Sequence, residues 1–222
     1  MRSLTSATAG LVGPRDPAQP LLTLRVPEGR VELSGATTAN WVAKTANLLV
    51  DGYGGPGRVG LLLPLHWQSV CVLLGAVASG AEVVVGRTAD DVEDADLVLC
   101  TVDDAAALPR VPDVLVAPVH PLGAPPAGVP AGLGDYAREV PSYGDHWGGP
   151  DPSAAHVLVD GAPVAPVAGA GEGDRVLVTG ALADALPEVL GALAAGAAVV
   201  LVPDPGAVDL DAVRAEERTT RG

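Results

Sequence analysis

The sequence predicts an α/β protein made of two related, doubly wound βαβ halves. Three observations lead there. A thirteen-residue stretch occurs twice: Leu73–Val85 reads LLGAVASGAEVVV and Val189–Leu201 reads VLGALAAGAAVVL, with eight identical positions at an offset of 116. Each copy follows a short apolar strand that opens on a basic residue, Arg58 in the first and Arg175 in the second. The strands are continuous Val/Leu runs without strict alternation, the pattern of a parallel sheet covered on both faces. A strand, a helix, a glycine turn and a second strand, built twice, imply two similar α/β units.

The elements follow in order. Residues 1–20 carry Gly13, Pro14, Pro17 and Pro20 and read as a surface arm. Leu21–Val26 reads as a short strand ending at Pro27. Ser34 is placed to cap a helix whose apolar face is Ala39, Val42, Ala43, Ala46, Leu49 and Val50, at three- and four-residue spacing. Gly52, Gly54, Gly55 and Pro56 stop that helix. Strands are predicted at Val59–Leu63, Glu82–Val85, Leu97–Thr101 and Val114–Ala117, with a full helix at Trp67–Ala78 between the first two. Short acidic segments, Ala89–Asp94 and Asp103–Leu108, link the later ones. The first half, with its arm, is residues 1–118.

Residues 119–152 are rich in Pro and Gly and read as a crossover with a short helix near Asp135–Glu139. The second half is residues 153–222. It offers strands at Ala155–Val159, Pro163–Val167, Val176–Thr179 and Ala197–Val202, and helices at Leu182–Ala195 and Leu210–Glu217. Asp209 caps the last helix, and Val208 and Val213 form a hydrophobic staple across its start.

Composition limits the function classes. The 222 residues carry 13 basic and 27 acidic side chains, a net charge of −14. Nucleic acid and anionic membranes need Lys/Arg clusters, so both are poor partners. Aromatics are 3% and Phe is absent, so the core is Ala, Val and Leu. Cys71 and Cys100 show no C-x-x-C spacing and read as small, reduced core residues. No segment reads as a signal peptide or a membrane span, and the expected location is the cytoplasm.

Chemical motifs are few. Gly169–Gly173 is glycine-rich but precedes a strand, the reverse of the order a dinucleotide-binding turn requires. There is no G-x-S-x-G nucleophile elbow. His66, His120, His146 and His156 are far apart in sequence, so no metal site is predicted. The acidic run Asp90, Asp91, Glu93, Asp94, Asp96 reads as a solvated face. His66-Trp67-Gln68 opens a helix at the carboxyl end of a strand, where doubly wound folds place ligands.

The order of these pieces resembles the amino-terminal region of the adenylate-forming superfamily: acyl-CoA synthetases, peptide-synthetase adenylation domains and luciferases. The matching segments are Gly57-Arg58-Val59-Gly60-Leu61-Leu62-Leu63-Pro64 with Ser79-Gly80-Ala81-Glu82-Val83-Val84-Val85 in the first half. In the second half they are Gly173–Thr179, Ala195–Leu201 and the helix Asp209–Glu217. More narrowly, the chain is similar to a small group of high-GC bacterial proteins distantly related to AMP-binding enzymes. The resemblance implies a second half that is incomplete relative to the family's.

The departures carry the functional reading. The family's phosphate loop is rich in Ser, Thr and Gly, ends in Pro-Lys-Gly and follows a second-half strand. Here Ala155–Val159 is followed by Asp160-Gly161-Ala162-Pro163-Val164-Ala165-Pro166, which has no hydroxyl, no lysine and two prolines without N–H. Where the family often has a histidine at a helix start, the nearest residue is Asp184. The family's adenine-binding strand, magnesium motif, ribose-binding Asp and catalytic Lys all fall beyond Gly222. No catalytic residue, metal ligand or cofactor is therefore predicted, and His66, Trp67, Thr179 and Asp184 are the candidate ligand- or partner-facing residues. Two function classes remain. One is a non-catalytic domain acting through another protein or by masking a surface. The other retains nucleotide, acyl or CoA binding as part of a ligase-like activity completed by another chain. The apolar second-half strands predict a homodimer or a partner protein on the second sheet.

Overall fold

The computed structural model describes residues 12–13, 15–149 and 156–222. Its elements are β1 (Pro20–Val26), β2 (Gly29–Ser34), α1 (Gly35–Asn47), β3 (Arg58–Leu62), α2 (Trp67–Ser79), β4 (Glu82–Val85), β5 (Leu97–Cys100) and β6 (Asp113–Val116). Then follow β7 (Gly134–Asp135), α3 (Tyr136–Glu139), β8 (Val157–Val159), β9 (Ala162–Pro163), β10 (Arg175–Thr179), α4 (Leu182–Ala194), β11 (Ala198–Val202) and α5 (Leu210–Glu217).

The two halves are built alike. β3 pairs β4 in parallel with Val59 against Val83, and β10 pairs β11 in parallel with Val176 against Val199. The linking helices, α2 and α4, end on turns whose glycines, Gly80 and Gly196, have φ of 91° and 75°. A side chain there would be strained, which is why both copies of the repeat keep glycine. Ser34 accepts from the Thr37 N–H and caps α1. Asp209 accepts from the Asp211 and Ala212 N–H groups and caps α5.

The strands form a seven-stranded sheet of order β7-β6-β5-β3-β4-β8-β9 and a four-stranded sheet of order β10-β11-β1-β2. Helices α1, α2 and α4 lie between the inward faces of the two sheets, in one core that includes Leu22, Leu24, Leu61, Leu73, Leu99, Leu186 and Leu201. The outer face of the larger sheet is covered by the short 3₁₀ turns at Ala89–Val92 and Ala105–Ala107, through Val92, Ala105 and Leu108. The outer face of the smaller sheet is covered by α5 through Val213, with Val208 and Leu210.

Sheet membership departs from the sequence reading. The strand read as 155–159 joins the larger sheet, where β8 runs parallel to β4 with Leu158 against Val84; Ala155 itself lies outside the described residues. The strand at 21–26 joins the smaller sheet, with Leu22 against Val199 of β11, and forms a hairpin with β2, an element the sequence reading did not contain. Each half lends strands to the other. The strand read as Pro163–Val167 shortens to β9, because Pro163 and Pro166 supply no N–H to a ladder.

The described part of the crossover, residues 119–149, is tied to α1. Tyr136 is buried with its hydroxyl 2.8 Å from Thr45 Oγ1, Lys44 Nζ donates to the Tyr143 carbonyl, and Asn47 Nδ2 donates to the Gly144 carbonyl. This segment packs on α1. Of the arm, Gly13 donates its N–H to the Leu193 carbonyl and Arg15 reaches the Gly196 carbonyl, so it lies at the carboxyl end of α4. Residues 1–11 and 14 lie outside the described residues.

Candidate functional site

The strand order of the larger sheet reverses at β3. From β3 the chain moves one way to β4 and then back past β3 to β5 on the other side. In open α/β sheets, ligands bind beyond the carboxyl ends of the strands at such a reversal. A crevice of about 480 Å³ lies there. Its walls are Leu63, Pro64 and Leu65 after β3, Gly86 and Arg87 after β4, and Thr101 and Asp104 after β5. The other side is Gly180–Ala183 at the start of α4, and Pro203 after β11. Both βαβ units thus point their carboxyl ends at the same space.

Arg87 is fixed at its mouth. Asp91 accepts from the N–H groups of Arg87 and Thr88, at 2.9 and 2.8 Å, and holds the turn after β4. Those bonds hold the Asp91 carboxyl below its ordinary pKa. Gly86 allows the turn, since a Cβ there would stand 2.8 Å from Val92 Cγ1. The Arg87 guanidinium lies 2.6 Å from Asp184 and 3.4 Å from Asp160, and it lowers the Asp184 pKa. Asp104 accepts a 2.6 Å hydrogen bond from Thr101. One arginine therefore faces two carboxylates, those of Asp160 and Asp184, and a third, Asp104, stands in the crevice wall.

Asp160 belongs to the turn between β8 and β9. Val159 pairs Ala162 across a two-residue loop, and Asp160 and Gly161 have φ of 51° and 73°. Positive φ at both central residues, in an Asp-Gly dipeptide, marks a type I′ hairpin turn. The segment after β8 is therefore a tight turn that presents a carboxylate.

The four residues selected from sequence lie around the crevice, and none forms its wall. His66 caps α2, accepting the Gln68 N–H at Nδ1, and is 4% exposed. Burial lowers its pKa to about 4. Trp67 is buried, stacks edge-on against Trp41 at 5.4 Å and donates Nε1–H to the Pro121 carbonyl at 2.7 Å. Both sit beneath the crossover segment His120–Gly123. Thr179 ends β10 next to Gly180, and Asp184 stands outside the mouth, paired with Arg87. Sequence reasoning missed Arg87, Thr101 and Asp104. Their one legible signal was position, directly after strands of a doubly wound sheet.

Cys71 and Cys100 are free and buried, and burial pushes both thiols up, that of Cys100 to about 12. Among the described residues no group of three His, Cys, Asp or Glu side chains is placed to hold a metal, and no helix is long and apolar enough to cross a membrane.

Several solved structures share this fold. An acyl-CoA synthetase from Brucella canis matches 97% of the chain with a TM-score of 0.75 at 19% identity, and the match is 46% of that protein. A fatty acyl CoA synthetase from Mycobacterium tuberculosis matches 91% with a TM-score of 0.66 at 18% identity, over 45% of its own length. The inhibitor-bound N-terminal domain of FACL13 from Mycobacterium tuberculosis matches 96% with a TM-score of 0.66 at 17% identity. The chain thus spans less than half the length of the two synthetases. No protein-family model matches it. A TIGR03089 family protein of Mycobacterium tuberculosis is 38% identical over 212 residues, which are 86% of this chain and 85% of that one. With that identity over nearly the whole of both proteins, the chain belongs to the TIGR03089 family.

Proposed function

We propose that this chain is a non-catalytic protein with an AMP-binding-like fold that acts in the cytoplasm by binding another protein through its smaller sheet. The observation that carries the reading is the Asp160–Gly161 turn. It stands at the place where the resemblance puts a phosphate-binding loop, and a type I′ turn leaves no run of N–H groups to cradle a phosphate. Asp160 and Asp184 beside Arg87, with Asp104 in the crevice wall, add repulsion toward a triphosphate. The expected outcome is no pyrophosphate exchange with ATP across a panel of carboxylic acids. Substrate-dependent exchange by the pure protein defeats this reading.

The crevice at the sheet reversal favours a second reading, retained binding of a nucleotide, acyl group or CoA fragment as part of an activity completed by another chain. Thermal-shift measurements with ATP, AMP, CoA and acyl-adenylate analogues separate the two. A ligand at a hundred times its Kd adds roughly 2.7 kcal/mol of stability, so a bound ligand would be plain. No shift is expected.

A further inference from the structure

We infer that the partner of the smaller sheet is a second copy of this chain, joined antiparallel along β2 about a two-fold axis at Val31. The inference deepens the protein-binding reading above and rests on it.

The two sheets have four edges, and three are blunted in ways that natural sheets use against pairing. β7 and β9 are two residues each, and β9 contains Pro163. β10 is covered by its own chain: Arg221 bridges Val176, the Leu177 N–H reaches the Arg221 carbonyl, and the Thr220 N–H reaches the Arg175 carbonyl. β2 is six residues long, has no proline, and pairs only with β1 among the described residues.

The hairpin register fixes what β2 offers. Val26 and Gly29 close a two-residue turn and must be a hydrogen-bonded pair. Alternation then makes Leu24–Val31 a hydrogen-bonded pair as well, while Arg25–Arg30 and Thr23–Glu32 are not. The N–H and C=O groups of Arg30 and Glu32 therefore point outward.

An antiparallel copy must set outward residues against outward residues. Centred on Arg30, that opposes arginine to arginine; centred on Glu32, glutamate to glutamate. Centred on Val31, it places each Arg30 opposite the Glu32 of the second copy, with the full strand engaged. Opposite charges across strands stabilise and like charges destabilise, so the sequence Arg30-Val31-Glu32 selects one register. The product is a continuous eight-stranded sheet.

The register makes a sharp test. At the axis Val31 faces its own counterpart in a non-hydrogen-bonded pair, where Cα atoms lie about 4.5 Å apart, within the range a disulfide spans. Cys71 and Cys100 are buried and do not compete. In the full-length protein, V31C is expected to cross-link to a covalent dimer under mild oxidation, and E28C, which would face Ser34 of the second copy, is not. Sedimentation of the wild type is expected to give twice the 22.1 kDa chain mass. The variant E32P, which deletes an outward-pointing N–H and leaves the ladder to β1 intact, should weaken the dimer roughly tenfold or more. Circular dichroism of each variant checks that it folds. A wild type that stays monomeric at tens of micromolar, with V31C uncross-linked, overturns the inference and leaves a different partner protein to carry the wider reading. A wild-type dimer in which V31C fails to cross-link removes this edge while retaining self-association.

Discussion

The largest single contribution of a charged side chain to this fold should come from Glu217. It lies on α5 with its side chain 2% exposed, within 2.8 Å of Arg25, 2.7 Å of Arg30 and 2.6 Å of Arg175. The arginines come from β1, β2 and β10, so one carboxylate ties α5 to three of the four strands of the smaller sheet. Desolvation alone would raise its pKa, but the hydrogen bonds from the arginines outweigh burial and bring it from 4.5 to about 2. At about 1.4 kcal/mol per unit, that difference sets a ceiling of roughly 3 kcal/mol. Arg30 is 43% exposed, and solvent screens its share, so about 2–3 kcal/mol is expected when Glu217→Gln is measured near neutral pH. For a protein of this size that is roughly 5–10 °C in Tm. The sign follows from linkage. A depressed carboxylate contributes fully above its unfolded pKa, and the contribution fades as pH falls through the folded one. The gap between wild type and Glu217→Gln should therefore be constant above about pH 5 and close between about pH 4.5 and 2. Urea titrations of both proteins across that range provide the measurement. A gap below about 0.5 kcal/mol near neutral pH, or one that does not narrow in acid, would refute the reasoning.

Further outcomes follow from other buried positions. His66 is neutral when folded, with its pKa lowered by burial to about 4, so wild-type stability should fall as pH drops from about 6.5 to 4, by up to roughly 3 kcal/mol. His66→Asn keeps a capping side chain and should flatten that window, which lies above the one set by Glu217; an unchanged pH profile would count against it. Gly75→Ala, which in an open helix adds about 1 kcal/mol, should instead destabilise by about 1–3 kcal/mol, because its Cβ would stand 2.5 Å from Thr45 Cβ where α1 and α2 touch. A melting temperature raised by that substitution would show that the two helices are free to separate. Native protein should leave both Cys71 and Cys100 unlabelled by a thiol reagent until it is unfolded.

Much of this architecture could be read from the residues. Helices α1, α2, α4 and α5 were legible because each carries an apolar stripe and a capping or turn residue at its end, and the repeated segment located both βαβ units. β2 was not legible. Its Arg30, Glu32 and Ser34 are polar, it is largely exposed, and only its register with β1 identifies it. Sheet membership was hidden for a different reason. Local pattern reports that Val157–Val159 is a strand, while the choice between β4 and β10 as its neighbour depends on packing among distant segments. At the candidate site, the Asp160-Gly161 dipeptide was visible as a departure from a phosphate loop, and its geometry as a hairpin followed from φ values. His66 and Trp67 lie beside the crevice and not in its wall. Their position after β3 is right for a doubly wound site, but the crossover lies over them, held by the bond from Trp67 to the Pro121 carbonyl.

The exchange of strands between the halves also governs the order in which the molecule can assemble. Leu22 and Leu24 on β1 meet Val199 and Leu201 on β11, residues roughly 180 positions apart, so that pairing carries a large loop-closure cost and slows folding. During synthesis β1 emerges early and, among the described residues, has β2 as its one strand partner until β11 leaves the ribosome. The helices α1 and α2 must shield its apolar side in the interval, and a nascent chain halted before β11 would hold an unpaired apolar edge. Pulse proteolysis of ribosome-bound chains of increasing length should accordingly show protection of β1 appearing late, and together with β10 and β11.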